Sequence, residues 1–279
     1  MSTIIIFLTY TLFTDWRSIE AASAAAVLFK SELLQEAAVE LPIRACIDLG
    51  TDLVTQTRDI LQLYKVPEMN WARPLHCSLK GDPAIGVGVE RHFLSLEISK
   101  LQQGFNIKSD VTNITLLFEG EKNHLLPATS EAVLEVDLFI VAGRIIGHSF
   151  LHGGPLLTRL SQAIIHMISN GDIDTATITI EDVADYDIRE TIQMLDGDQT
   201  LSEEQRHRVN SLALSWDQSP LLETNRSWLF EKLLKHAVIV RRQRQIKQMK
   251  KGLRDTKVLT LIQQKQEEAE PNAVVNLPF

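Results

Sequence analysis

Two histidines, His148 and His152, stand at i and i+4, a spacing that puts two imidazoles on one helix face and can offer both to one metal ion. A zinc protease adds a glutamate, as His-Glu-x-x-His, and a third ligand; neither accompanies this pair. His152 adjoins the expected end of a helix, where an imidazolium interacts favourably with the dipole. The pair is therefore read as structural, with no metal expected. Cys46 and Cys77 are the whole cysteine complement, and neither has a Cys or His at the spacing of a zinc site or a disulfide framework. Both are read as structural thiols of the kind that free cysteine supplies to interiors, and a reducing compartment, cytoplasmic or nuclear, is implied. Gly86-x-Gly88 lacks the third glycine of a dinucleotide loop and no series of parallel-strand patterns surrounds it. No phosphate-binding P-loop and no Gly-x-Ser-x-Gly elbow occurs, so no cofactor is expected.

Eight basic residues (Arg241, Arg242, Arg244, Lys247, Lys250, Lys251, Arg254, Lys257) crowd the segment 241–257 against one acidic residue, Asp255. Such a stripe can meet nucleic acid, an acidic partner or the acidic tail after it, and it can also be a solvated helix face. The net charge of −8 gives no overall pull toward nucleic acid or acidic lipid. Ile246, Met249 and Leu253 recur at spacings of three and four, an apolar seam for docking this helix on a core.

With 279 residues and 44% apolar content, the chain is able to bury a substantial core. Ile4 to Leu8 are apolar but too few to span a bilayer, and are expected as a strand or helix end packed on the protein, with no membrane partner. Helices are expected over 17–40, closed by Pro42, over 52–64, and over 90–101; Leu75 to Leu79 alternate as a half-buried strand does. A helix capped at Thr129 or Ser130 and stopped by Gly153-Gly154-Pro155 is apolar on nearly its whole circumference, so it must be enclosed by others. Another carries Leu160, Ile164, Ile165 and Ile168 and ends at Asn170-Gly171. Asp187-x-x-Glu190 and Ser202-x-x-Gln205 have the spacing of capping boxes, opening helices that end near Gly197 and Trp216. The segment 224–255 is expected as one long helix with Gly252 its weak point.

Inside the central helix, Gly143-Arg144-Ile145-Ile146-Gly147 sets two glycines four apart, where a missing Cβ lets a neighbouring backbone come close. This run lies within Phe139 to Gly154 and follows Leu117-Phe118-Glu119-Gly120. Upstream stands Gly88-Val89-Glu90-Arg91-His92-Phe93-Leu94; downstream come Ile180-Glu181-Asp182-Val183, then Asp187 to Ile192, then Thr224-Asn225-Arg226, and finally Gln245 to Leu253. In this order they resemble the N-terminal lobe of HECT-type E3 ubiquitin-protein ligases, over about Thr57 to Leu253. His92 replaces the family's Glu, and Gly86 and Val87 stand where an Asp and a Gly are usual.

The resemblance implies an α+β, predominantly helical lobe with small β-strands. It implies 51–256 as the HECT-like N-lobe and leaves unassigned 1–50, expected as an N-terminal helical extension, and 257–279, expected as a flexible tail. It further implies a role in protein ubiquitination, with a ubiquitin-conjugating enzyme (E2) as partner, ubiquitin as a second, and a protein substrate that the sequence does not specify. In that family a cysteine in a separate C-terminal lobe accepts ubiquitin as a thioester; residues 253–279 contain none, so no catalytic residue is assigned. The alternative is a catalytically inactive binding module for an E2, ubiquitin or a substrate. The family's small E2-gripping subdomain corresponds to Asp198 to Glu223, a shortened interval in which Trp216, Leu221 and Leu222 are read as packing residues or as a contact patch.

Overall fold

Asp52 shows how local rules build this chain: its carboxylate accepts from the N–H groups of Val54 and Thr55 at 2.9 and 3.0 Å, opening the helix Leu53–Tyr64 where the sequence places it. The structure, a computed structural model, describes residues 15–81, 86–107 and 114–267. The fold is α+β and predominantly helical. The expectation for Ile4 to Leu8 lies outside the described residues.

In chain order, α1 (Ala22–Ala37) leads into β1 (Ile43–Asp48), and α2 (Leu53–Tyr64) crosses over to β2 (Leu75–Lys80). The two strands pair in parallel, Ile43 opposite Leu75 through Asp48 opposite Lys80. Ile43, Ala45 and Ile47 alternate inward against α2, while β2 rests on α3 (Val87–Gln103). Thus β1, within the segment read as an extension, belongs to the same sheet as β2 in the segment read as the lobe. Two short antiparallel pairs follow, β3 (Phe105–Asn106) with β4 (Ile114–Thr115), and β5 (Phe118–Glu119) with β6 (Leu126–Pro127).

The apolar stretch is two helices rather than one, α4 (Glu131–Glu135) and α5 (Leu138–Leu151). Asp137 between them is left-handed at φ 58°, ψ 28°, a conformation that a short polar side chain tolerates. The bend buries both Leu134 and Leu138 and leaves Val136 outside. Every residue of α5 except Arg144 is buried, as a helix enclosed on all sides requires. Then come α6 (Gln162–Ile168), opened by Ser161, and α7 (Tyr186–Gln193). Asp185 rather than Asp187 caps α7, accepting from Ile188 N–H at 3.1 Å. In α8 (Glu203–Ser215) the expected capping box is complete: Ser202 Oγ accepts from Gln205 N–H at 3.2 Å, and Gln205 Oε1 from Ser202 N–H at 2.9 Å.

The long helix expected over 224–255 is divided into α9 (Arg226–Val238), a 3₁₀ turn at Val240–Arg242, and α10 (Gln243–Asp255). The turn carries Arg242 into the interior, where its guanidinium donates to Pro127 O at 2.8 Å, to Ala237 O and to Glu119. Gly252 is not a weak point. A Cβ there would lie against Ile140 O and 2.9 Å from Gly143 Cα; one on Gly143 would reach Met249 O and come within 2.9 Å of Leu253 N. Gly147 would collide with Thr256, whose Cβ is 2.7 Å from the same imagined position. Where Gly143 meets Gly252, then, two backbones touch with no side chain between them.

Residues 257–279 are helical at their start rather than flexible: α11 (Val258–Glu267) buries Val258, Leu259, Leu261 and Ile262 against α1, α6 and α10. Lys265 Nζ donates to Arg17 O at 3.0 Å and Ile19 O at 2.8 Å. Four aliphatic residues within five positions are enough to fix one helical turn on a core.

Candidate functional site

The groups with most chemical potential gather where α2, α3 and α5 meet. Tyr64 Oη lies 2.7 Å from Glu97 Oε2 and 2.6 Å from His148 Nδ1. Trp71 stacks on the Tyr64 ring at 4.9 Å, and His152 packs edge-on against His148 at 4.8 Å while its Nε2 bonds to Trp71 O at 2.9 Å. The tyrosine hydroxyl has one proton: given to Glu97, it needs an N–H on His148 Nδ1; given to His148, it needs a protonated Glu97. Burial pushes the Glu97 carboxyl well above the usual carboxylate range and the His148 imidazole well below its own, which favours the second, neutral chain.

This cluster has the residue types of a proton relay and no access. Tyr64, Glu97 and His148 are each 0% exposed and Trp71 is 1% exposed, so no substrate can reach the reacting atoms. Its role is to fix three helices to one another. His148 and His152 do come together, but through ring contact, with the nitrogens that face partners already engaged. Among the described residues no three His, Cys, Asp or Glu side chains are grouped to hold a metal ion. Sequence reasoning missed Tyr64 and Glu97. The signal was available in α3: Glu97 sits on the stripe of Val89, Phe93, Leu94, Ile98 and Leu101, where a carboxylate needs a partner.

The thiols occupy different settings. Cys77 is partly buried, and burial together with the nearby Glu97 and Glu90 pushes it up to about 12, far from the range of a nucleophilic thiolate. Cys46 was expected inside and is exposed, because strand alternation turns it away from the face carrying Ala45 and Ile47.

The segments that carry the family resemblance all sit at joints. Gly143 and Gly147 face Gly252 and Thr256, as described. Gly154, just past α5, would place a Cβ 2.7 Å from Leu94 Cβ, so the Gly88–Leu94 segment packs where the central helix ends. Gly120, at φ 109°, is closed between His124 O and Ala184, and Asp182 binds His124 Nδ1 at 2.9 Å. Arg189 donates to Val183 O at 2.7 and 2.9 Å, and Arg226 to Met194 O at 2.8 Å and Leu195 O at 3.1 Å.

In the interval 198–223, Trp216 stacks on His236 at 4.4 Å, the Arg241 guanidinium lies over the Trp216 ring at 5.7 Å, and Leu221 is buried. Both serve packing. Leu222 is 55% exposed and Leu214 60%, which leaves two aliphatic side chains at the surface here. Among the described residues no helix is long and apolar enough to cross a membrane. No model of a known protein family matches the chain, and no curated protein matches it.

Proposed function

We propose that this chain acts in protein ubiquitination, in the cytoplasm or nucleus, as a HECT-like N-lobe that binds a ubiquitin-conjugating enzyme and carries out no thioester chemistry with its own residues. The observation that carries this reading is that the family-like segments, scattered over more than half the chain, converge on the joints of one framework. A glycine at a backbone contact fixes how two helices meet, since any side chain there would force them apart. What supports the absence of thioester chemistry is that residues 253–279 contain no cysteine and that burial pushes the Cys77 thiol up to about 12.

The test is titration calorimetry or NMR shift perturbation against a panel of conjugating enzymes. At least one is expected to bind, and Leu214→Asp with Leu222→Asp is expected to weaken it; silence across the whole panel overturns the reading. A non-reducing gel after incubation with activating enzyme, conjugating enzyme and ubiquitin is expected to show no thiol-sensitive adduct. An adduct lost in Cys46→Ala would refute that part alone.

A further inference from the structure

Helix α10 turns Ile246, Met249 and Leu253 inward and sets Arg244, Lys247, Lys251 and Arg254 on its outer side. At 1.5 Å per residue these four form a row about 15 Å long. The row borders a surface pocket of about 460 Å³ with Leu134 and Ile140 at its base. Asp137 is the one carboxylate in the lining, and it is engaged, accepting from Gln248 Nε2 at 3.0 Å. Glu131 pairs with Arg244 at 2.8 Å and Asp255 with Arg144 at 2.7 Å. Among the described residues no carboxylate pairs with Lys247, Lys251 or Arg254. Like charges three and four apart repel, so the row is a local electrostatic cost that an anionic partner would remove.

We propose that this face docks an acidic peptide segment of a partner protein. An extended chain presents alternate side chains about 6.7 Å apart, so three carboxylates at i, i+2 and i+4 span about 13 Å, close to the length of the row. The base of Leu134 and Ile140 accepts an aliphatic side chain, which a phosphate backbone does not provide. No aromatic residue lines the pocket, so it has no platform for nucleobases. The net charge of −8 also repels a long polyanion from a distance, whereas a short acidic segment feels chiefly the local field, within a screening length of about 10 Å at 0.1 M salt. The proposal does not rest on the ubiquitin reading.

The test is fluorescence anisotropy with a labelled peptide alternating glutamate and leucine, titrated with the whole chain. Binding is expected, weakening as salt rises, and at least about tenfold weaker for Lys247→Glu/Lys251→Glu/Arg254→Glu. Lys122→Glu, an exposed charge reversal elsewhere, is expected to behave as the parent. Circular dichroism checks the triple variant's fold; Lys247→Gln/Lys251→Gln repeats the measurement with milder changes if the reversal unfolds it. Equal binding by the charge variants overturns the proposal, as does equal binding of a glutamine version of the peptide. So does tighter binding of a single-stranded RNA, or a gain in peptide affinity on Glu268→Gln/Glu270→Gln, which would make the chain's own acidic segment the occupant.

Discussion

Gly147 and His148 are neighbours in the chain, and the 100° turn between successive helical residues sends them into two contrasting interfaces. On the α10 side, α5 is specified by missing atoms: Gly143 admits the α10 backbone and Gly147 the Thr256 side chain. On the side of α2 and α3 it is specified by hydrogen bonds, through His148, Tyr64 and Glu97. The first interface discriminates chiefly by shape, with one ion pair, Arg144 to Asp255, across it. The second discriminates by donor and acceptor, and its strength depends on which atoms hold protons.

The largest expected effect breaks the steric side. Gly252→Val places branched carbons against the Ile140 carbonyl, where neither helix can retreat without disturbing the buried faces, and is expected to lose about 3 kcal/mol or more in urea unfolding. A loss no greater than that of an exposed helical glycine would show that the seam opens easily. Next, Tyr64→Phe removes the hydroxyl shared by Glu97 and His148 and is expected to cost about 1 to 3 kcal/mol. A neutral result would mean that those groups find other partners.

Protonation separates the two interfaces more sharply. Glu97, raised by burial, contributes its full stability below the ordinary value of 4.5 and loses it as pH rises toward its folded value. His148, lowered by burial and by His152, contributes fully above 6.5 and loses its share as pH falls. Between those pH values the slopes oppose, and on the alkaline side of 4.5 the Glu97 loss has a limiting slope of about 1.4 kcal/mol per pH unit. Glu97→Gln is expected to flatten that alkaline side, while Gly252→Ala lowers stability by the same amount throughout. Thermal melts across pH decide this, and an unchanged slope in Glu97→Gln would count against the protonated carboxyl. The smallest effect serves as a yardstick: Ser202→Ala, remote from both interfaces, should cost about 1 kcal/mol through its lost cap and add to either substitution.

The sequence made legible what depends on near neighbours. Ser202 caps where its spacing says, the helix expected over 52–64 opens at Asp52, and α5 is enclosed as its apolar circumference demands. Features that depend on distant partners were missed. β1 alternates over six residues but is paired by a strand some thirty positions later, and no local signal joins them. The break at Asp137 has neither glycine nor proline to announce it. Gly252 reads locally as a helix defect, and only Ile140, more than a hundred residues earlier, makes it necessary. The same limit hid the buried cluster: Glu97 on its apolar stripe and His148 on the central helix each need a partner, but nothing local names Tyr64.

The Lys265 ammonium on the carbonyls of Arg17 and Ile19 joins positions 248 and 246 residues apart. The first and last described segments therefore lie side by side in the fold. A unit with that geometry can be spliced into a loop of a host protein with little stretching of the host chain, and its ends can be joined by a short linker and new ones opened elsewhere.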